Sequence, residues 1–179
     1  MSDLEQRARD PLLKVINRTV GPLTVADQRV IGEWALKTIM VWEYAKGVPP
    51  YFTPEERAAV RGGRWDEVAD VSIGLGDFSG VLVGALALPR DLPLVTDQRS
   101  GETVPAFVGT LVVRHSFIAV IADRYSQRTD RDCVYAYPTH ADRLAFVGDQ
   151  GKLPWPPERS FGDLELRQWL AYLGSRLLE

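Results

Sequence analysis

The sequence predicts an α+β fold: N-terminal helices, one of them long and largely buried, then an antiparallel sheet of about four or five strands, then an amphipathic C-terminal helix. Three observations carry this expectation. Helix caps and helical spacing fill roughly the first third of the chain. At Val71-Ser-Ile-Gly-Leu75 the apolar period drops to two. From Asp163 onward apolar residues return at helical spacing. No linker divides the 179 residues, which read as a single domain with a helical part over 1–62, a mainly β part over 66–148 and a closing helix over 160–178.

The first helix opens at Ser2-Asp-Leu-Glu5, where a hydroxyl and a carboxylate three residues apart match capping-box spacing. It is expected to bend or break near Pro11, to reach about Arg18, and to be stopped by Gly21-Pro22. Thr24-Val-Ala-Asp27 starts the second helix, which runs to Lys46 before Gly47 and Pro49-Pro50. Thr53-Pro-Glu-Glu56 starts a third: Thr53 is the cap, Pro54 takes the first helical position, and the acidic pair meets the positive end of the helix dipole. Gly62-Gly63 ends it.

In the β part, Val71, Ile73 and Leu75 alternate with Ser72, Gly74 and Gly76 as a half-buried strand. The continuous apolar run Val81–Leu88 suits a more central strand. Residues 89–103, with two prolines, Asp97, Ser100 and Gly101, read as a long polar loop. Thr110–Val113 and Phe117–Ala122 form a hairpin joined at Arg114-His-Ser116. Asp123–Asp132 is a solvated loop, and Val134–Tyr137 and Leu144–Val147 are short edge strands. In the closing helix Leu166, Trp169, Leu170, Leu173 and Leu177 share one face.

Composition narrows the function classes. Apolar residues make up 45% and charged residues 25%, an ordinary globular balance, and the net charge of −3 excludes a generally basic nucleic-acid footprint. One cysteine, Cys133, and two histidines, His115 and His140, supply too few ligands for a zinc site and no disulfide framework. Cys133 has no helix N-terminus or base beside it and reads as a strand residue rather than a nucleophile. Gly74-Leu-Gly76-Asp-Phe-Ser-Gly80 reads as a hairpin turn, because strand-like Val81-Leu-Val83 follows where a dinucleotide loop needs a helix. We expect no metal, no cofactor, no catalytic residue and no membrane span, in a cytoplasmic protein.

Two clusters remain. Arg124, Tyr125, Arg128 and Arg131 form the best candidate nucleic-acid contact, but Asp123, Asp130 and Asp132 offset their charge, so a solvated loop is the preferred reading and nucleic-acid binding is expected to be weak. The second cluster, Glu33, Lys37, Thr38 and Glu43, stands in a long helix that is apolar nearly all round beyond Trp34. Such a helix is buried in a core or an interface, and charges inside it must be paired or reach solvent. Glu33 precedes Lys37 by four residues, which makes them the expected pair, with Glu43 meeting an arginine elsewhere. The alternative is a polar site on the helix surface that holds a partner or ligand; for the chain as a whole a protein partner or self-association is expected.

Trp34-Ala-Leu-Lys-Thr-Ile-Met-Val-Trp-Glu43 followed by Tyr51-Phe-Thr-Pro-Glu-Glu-Arg57 resembles the region downstream of the catalytic module in bacterial and phage HNH-endonuclease-like proteins. The opening Met1-Ser-Asp-Leu-Glu5 with Ala8-Arg9 and Pro11-Leu12 looks like the segment that joins the two parts in that family. On this resemblance the chain begins just after the zinc-binding and catalytic-metal residues and matches none of them. It implies a non-catalytic accessory domain that assists nuclease assembly or nucleic-acid engagement. The alternative is a stand-alone protein-interaction module, phage- or defence-related.

Overall fold

The computed structural model describes residues 3–45, 50–68, 71–80, 84–87, 92–97, 101, 103–123, 133–135, 140–148 and 151–175. Helices α1 (Asp3–Ile16), α2 (Val25–Ala45) and α3 (Pro54–Arg61) precede the strands β1 (Val71–Phe78), β2 (Gly84–Ala87), β3 (Leu92–Asp97), β4 (Thr103–Val113), β5 (Ser116–Asp123), β6 (Cys133–Tyr135), β7 (Ala145–Phe146) and β8 (Ser160–Phe161), and α4 (Asp163–Ser175) follows. This is the expected α+β class. One sheet runs β6-β3-β4-β5-β1-β7, all antiparallel, with β2 also on β4 and β8 parallel to β1. Among the described residues no helix is long and apolar enough to cross a membrane.

The helix starts follow their caps. The Thr24 hydroxyl accepts the N–H of Asp27 while Asp27 accepts the N–H of Thr24. Thr53 and Glu56 make the same reciprocal pair at α3, with Pro54 inside the first turn. Burial pulls the Asp27 carboxyl upward, but hydrogen bonds from Thr24 and Lys14 outweigh it and hold the pKa below the ordinary value. α1 continues through Pro11 and ends before Gly21-Pro22: Arg18 takes a left-handed conformation with φ 55°, and the N–H groups of Arg18 and Thr19 bond back to Val15 and Lys14. That is a Schellman cap built on a non-glycine residue.

The strands depart from expectation in three places. β3 occupies the expected loop 89–103; the ladder to β4 shifts between Pro93 and Val95, and a bulge is where a sheet tolerates proline. β2, expected at the centre, pairs only with β4 among the described residues. Gly74 and Gly76 lie inside β1 and not in a turn. Their role is space: a Cβ on Gly74 would stand 2.8 Å from Leu144 and one on Gly76 2.9 Å from Phe161. The β4–β5 hairpin, with Arg114 and His115 between Val113 and Ser116, is as expected, and β6 and β7 lie at the two ends of the sheet.

Both faces of the sheet are covered, which is why every residue of β5 is buried. Ile118, Val120 and Ala122 face the helical layer with Ile31, Leu36, Ile39 and Phe52. Phe117, Ala119 and Ile121 face the α4 side with Phe161, Leu166, Trp169 and Leu173. There Phe117 stacks on Phe161 with centroids 4.3 Å apart, and the Trp169 indole N–H donates to the Thr110 hydroxyl at 2.9 Å.

One charge is enclosed near the end of α1. Asp77 is fully buried; Arg18 Nη2 stands 2.8 Å from its Oδ2, near enough for an ion pair but not aligned as a hydrogen bond, and neither carboxylate oxygen has a hydrogen-bond partner among the described residues. Burial therefore raises the Asp77 pKa above the ordinary 3.8, against the opposing pull of Arg18 and His115. The folded chain holds this proton more tightly than the unfolded chain, so the group's contribution to stability is fullest below the unfolded pKa and falls as pH rises through the folded one. Asp77→Asn removes this dependence. Urea midpoints of wild type and variant, compared from about pH 7 down to about pH 4, should shift in favour of the wild type as pH falls. A shift in favour of the variant would show that the Arg18 pair, not burial, governs the group.

Candidate functional site

α1 and α2 lie side by side in opposite directions, and paired charges mark their seam: Lys14 with Asp27 at 3.4 Å, Arg7 with Glu33 at 3.5 Å, and Lys37 with Glu5 at 3.0 Å. The expected Glu33–Lys37 pair within α2 is therefore replaced by two pairs across the seam. Glu33 is buried and turned to α1, and a carboxylate there is better satisfied by a cation from the neighbouring helix than by an outward Lys37. Thr38 is half-buried. Glu43 is fully buried, and its Oε1 accepts the Tyr51 N–H at 2.9 Å, tying the end of α2 to the start of the α3 region. Glu33, Lys37 and Glu43 thus meet three different residues, Arg7, Glu5 and Tyr51. Arg124, Tyr125, Arg128 and Arg131 lie outside the described residues, and the side chain of Cys133 does as well.

Lys37 borders a cavity. Between α2 and α3 lies a groove of about 420 Å³, within the ~300–1,000 Å³ range of ligand-holding clefts. From α2 come Lys37, Met40, Val41, Tyr44 and Ala45, which recur at the three- and four-residue spacing of one helix face. From α3 come Arg57, Val60 and Arg61, spaced in the same way. Among its described lining residues the floor is apolar, the rim carries three cations, and no carboxylate occurs.

The groove opens onto uncovered apolar surface. Val41 is 57% exposed, Tyr44 80%, and Trp42 on the adjoining side of the same turn 41%. Val20 and Leu164 are exposed as well but do not line this groove, and single exposed apolar residues are ordinary on a folded surface. The helix that is apolar nearly all round is thus buried against α1 and the sheet over most of its length, and at its C-terminal end it keeps one exposed side with Val41 and Tyr44.

The rim cations are engaged to different degrees. Lys37 is held by Glu5. Arg57 donates through Nη1 to the Phe52 carbonyl. Arg61 is exposed, and its guanidinium makes no ion pair or hydrogen bond among the described residues. Among the groove's described lining residues there is no nucleophile beside a base and no pair of carboxylates to move protons. No group of three or more metal-ligating side chains occurs among the described residues. Val41, Tyr44, Arg57 and Arg61 were not singled out by sequence reasoning, although the spacing 37-40-41-44 beside 57-60-61 was the available signal.

Comparison with protein-family models, with curated proteins and with solved structures finds no match, and nothing in it links the chain to HNH-endonuclease-like proteins.

The Lys37–Glu5 pair is partly solvated, and such pairs contribute at most about 1 kcal/mol. Lys37→Met should therefore change the unfolding free energy by less than about 1 kcal/mol in urea titrations. A loss above about 2 kcal/mol would mean that the lysine holds the α1–α2 seam together rather than bordering the groove.

Proposed function

We propose that the protein is a non-catalytic interaction domain that docks a protein partner on the face formed by the last turns of α2 and by α3. The observation that carries this reading is the exposed apolar side of the last turns of α2, where Val41 and Tyr44 stand beside a preformed groove. Contiguous apolar surface of this kind beside a polar rim characterises protein-interaction sites. The narrower form of the proposal, an accessory role beside an HNH nuclease module in assembly or nucleic-acid engagement, rests on the sequence resemblance alone. The acidic chain and the apolar floor of the groove favour a protein over nucleic acid as the partner.

A photoreactive phenylalanine analogue placed at position 44 tests this in living cells, with position 20 as the control. Val20 is 84% exposed but does not line the groove, so it reports chance encounters. Irradiation should give discrete covalent adducts from position 44 and none from position 20. Equal labelling from both positions, or none from position 44, would overturn the proposal.

A further inference from the structure

The chemistry of the groove narrows the partner. We infer that it receives an acidic amphipathic segment of a partner protein, in which two or three apolar side chains are flanked by aspartates or glutamates. This inference rests on the reading of the α2–α3 face as a docking surface and adds the nature of its occupant.

Charge is the first argument. Among the described lining residues three cations border the groove without a carboxylate, although the chain as a whole carries −3. Lys37 is already matched by Glu5, which leaves Arg57 and Arg61 as the groups a partner would meet. They lie four residues apart on one side of α3, so their guanidinium groups flank the same stretch of groove. A guanidinium presents several N–H donors in a planar fork suited to carboxylates. Arg57 uses one donor on the Phe52 carbonyl, and Arg61 uses none within the described structure.

Extent is the second argument. A small anionic amphiphile would fill the cavity but leave the outer side of Tyr44, which is 80% exposed, in water. A peptide lies along the groove and covers the lip as well, with apolar anchors over Met40, Val41 and Val60 and its carboxylates towards α3. An oligonucleotide would match the cations but bring little to an apolar floor.

The test is selection of random dodecapeptides displayed on phage against the immobilised full-length chain, followed by affinity measurements on the enriched peptides. Enriched sequences should combine aromatic or aliphatic residues with Asp or Glu. They should bind Arg61→Glu about tenfold or more weakly than wild type, because a like-charge contact replaces an attractive one. Arg61 makes no side-chain bond in the described fold, so this variant separates binding from folding; Arg57→Glu, whose wild-type side chain supports the Phe52 carbonyl, serves as a second variant once circular dichroism shows it folded. Basic or uncharged enriched sequences that Tyr44→Ser weakens would overturn the acidic occupant and leave the docking face standing. Enriched sequences indifferent to both Arg61→Glu and Tyr44→Ser would overturn the face itself. Failure to enrich any sequence, or tighter binding of dodecanoate or oligothymidylate than of the best peptide, would overturn the peptide inference.

Discussion

The arrangement depends on how closely α2 lies on the sheet. Gly109 in β4 has no side chain, and Ile39 of α2 fills the space: a Cβ on residue 109 would stand 2.8 Å from Ile39 Cγ2 and 2.9 Å from its Cδ1. Gly32, two turns earlier, lets the same helix approach Ile73 of β1 in the same way, with 3.3 Å to a Cβ placed there. These contacts bring α2 down on the middle of the sheet, where dispersion and burial reward close packing. They also fix which side of the helix faces away.

The rest follows from that rotation. With Ile31, Ala35, Leu36 and Ile39 committed to the core, Glu33 falls on the flank that α1 covers and finds Arg7. Val41 and Tyr44 fall on the side that α3 only partly covers. Glu43 turns inward and fastens Tyr51, whose ring stacks on Phe107 of β4 and whose hydroxyl donates to the Ala122 carbonyl. The start of α3 is thereby held to the sheet while its far side, with Arg57 and Arg61, borders the open groove. A face kept bare by a rigid core fits the proposed docking role, since little order must be created on binding.

Local chemistry made much of this legible in the sequence. Thr24 with Asp27 and Thr53 with Pro54 and Glu56 mark helix starts because their bonds span only three residues, and the structure places helices there. What depended on distant residues was not legible. Gly74 and Gly76 resembled a turn because the side chains that need their space, Leu144 and Phe161, come about seventy or more residues later. β3 was hidden by its prolines, whose tolerance depends on a bulge against β4. Lys37 was legible as unusual, but its partner Glu5 lies in another helix, and the groove it borders appears only when α2 and α3 meet. Helical spacing showed two apolar sides to α2; only packing decides which one is left uncovered.

The close approach of α2 is tested most directly by a double-mutant cycle between Gly109 and Ile39. Gly109→Ala alone should destabilise the fold by about 1–3 kcal/mol through overpacking, and Ile39→Ala alone by about 2–5 kcal/mol through the cavity it leaves. Combined, they should cost clearly less than the sum, since the alanine methyl at position 109 enters the space the isoleucine vacates. Strictly additive losses in urea unfolding would contradict the account, because Ile39 would then not occupy the space above Gly109 and the outward side of α2 would be set by something else.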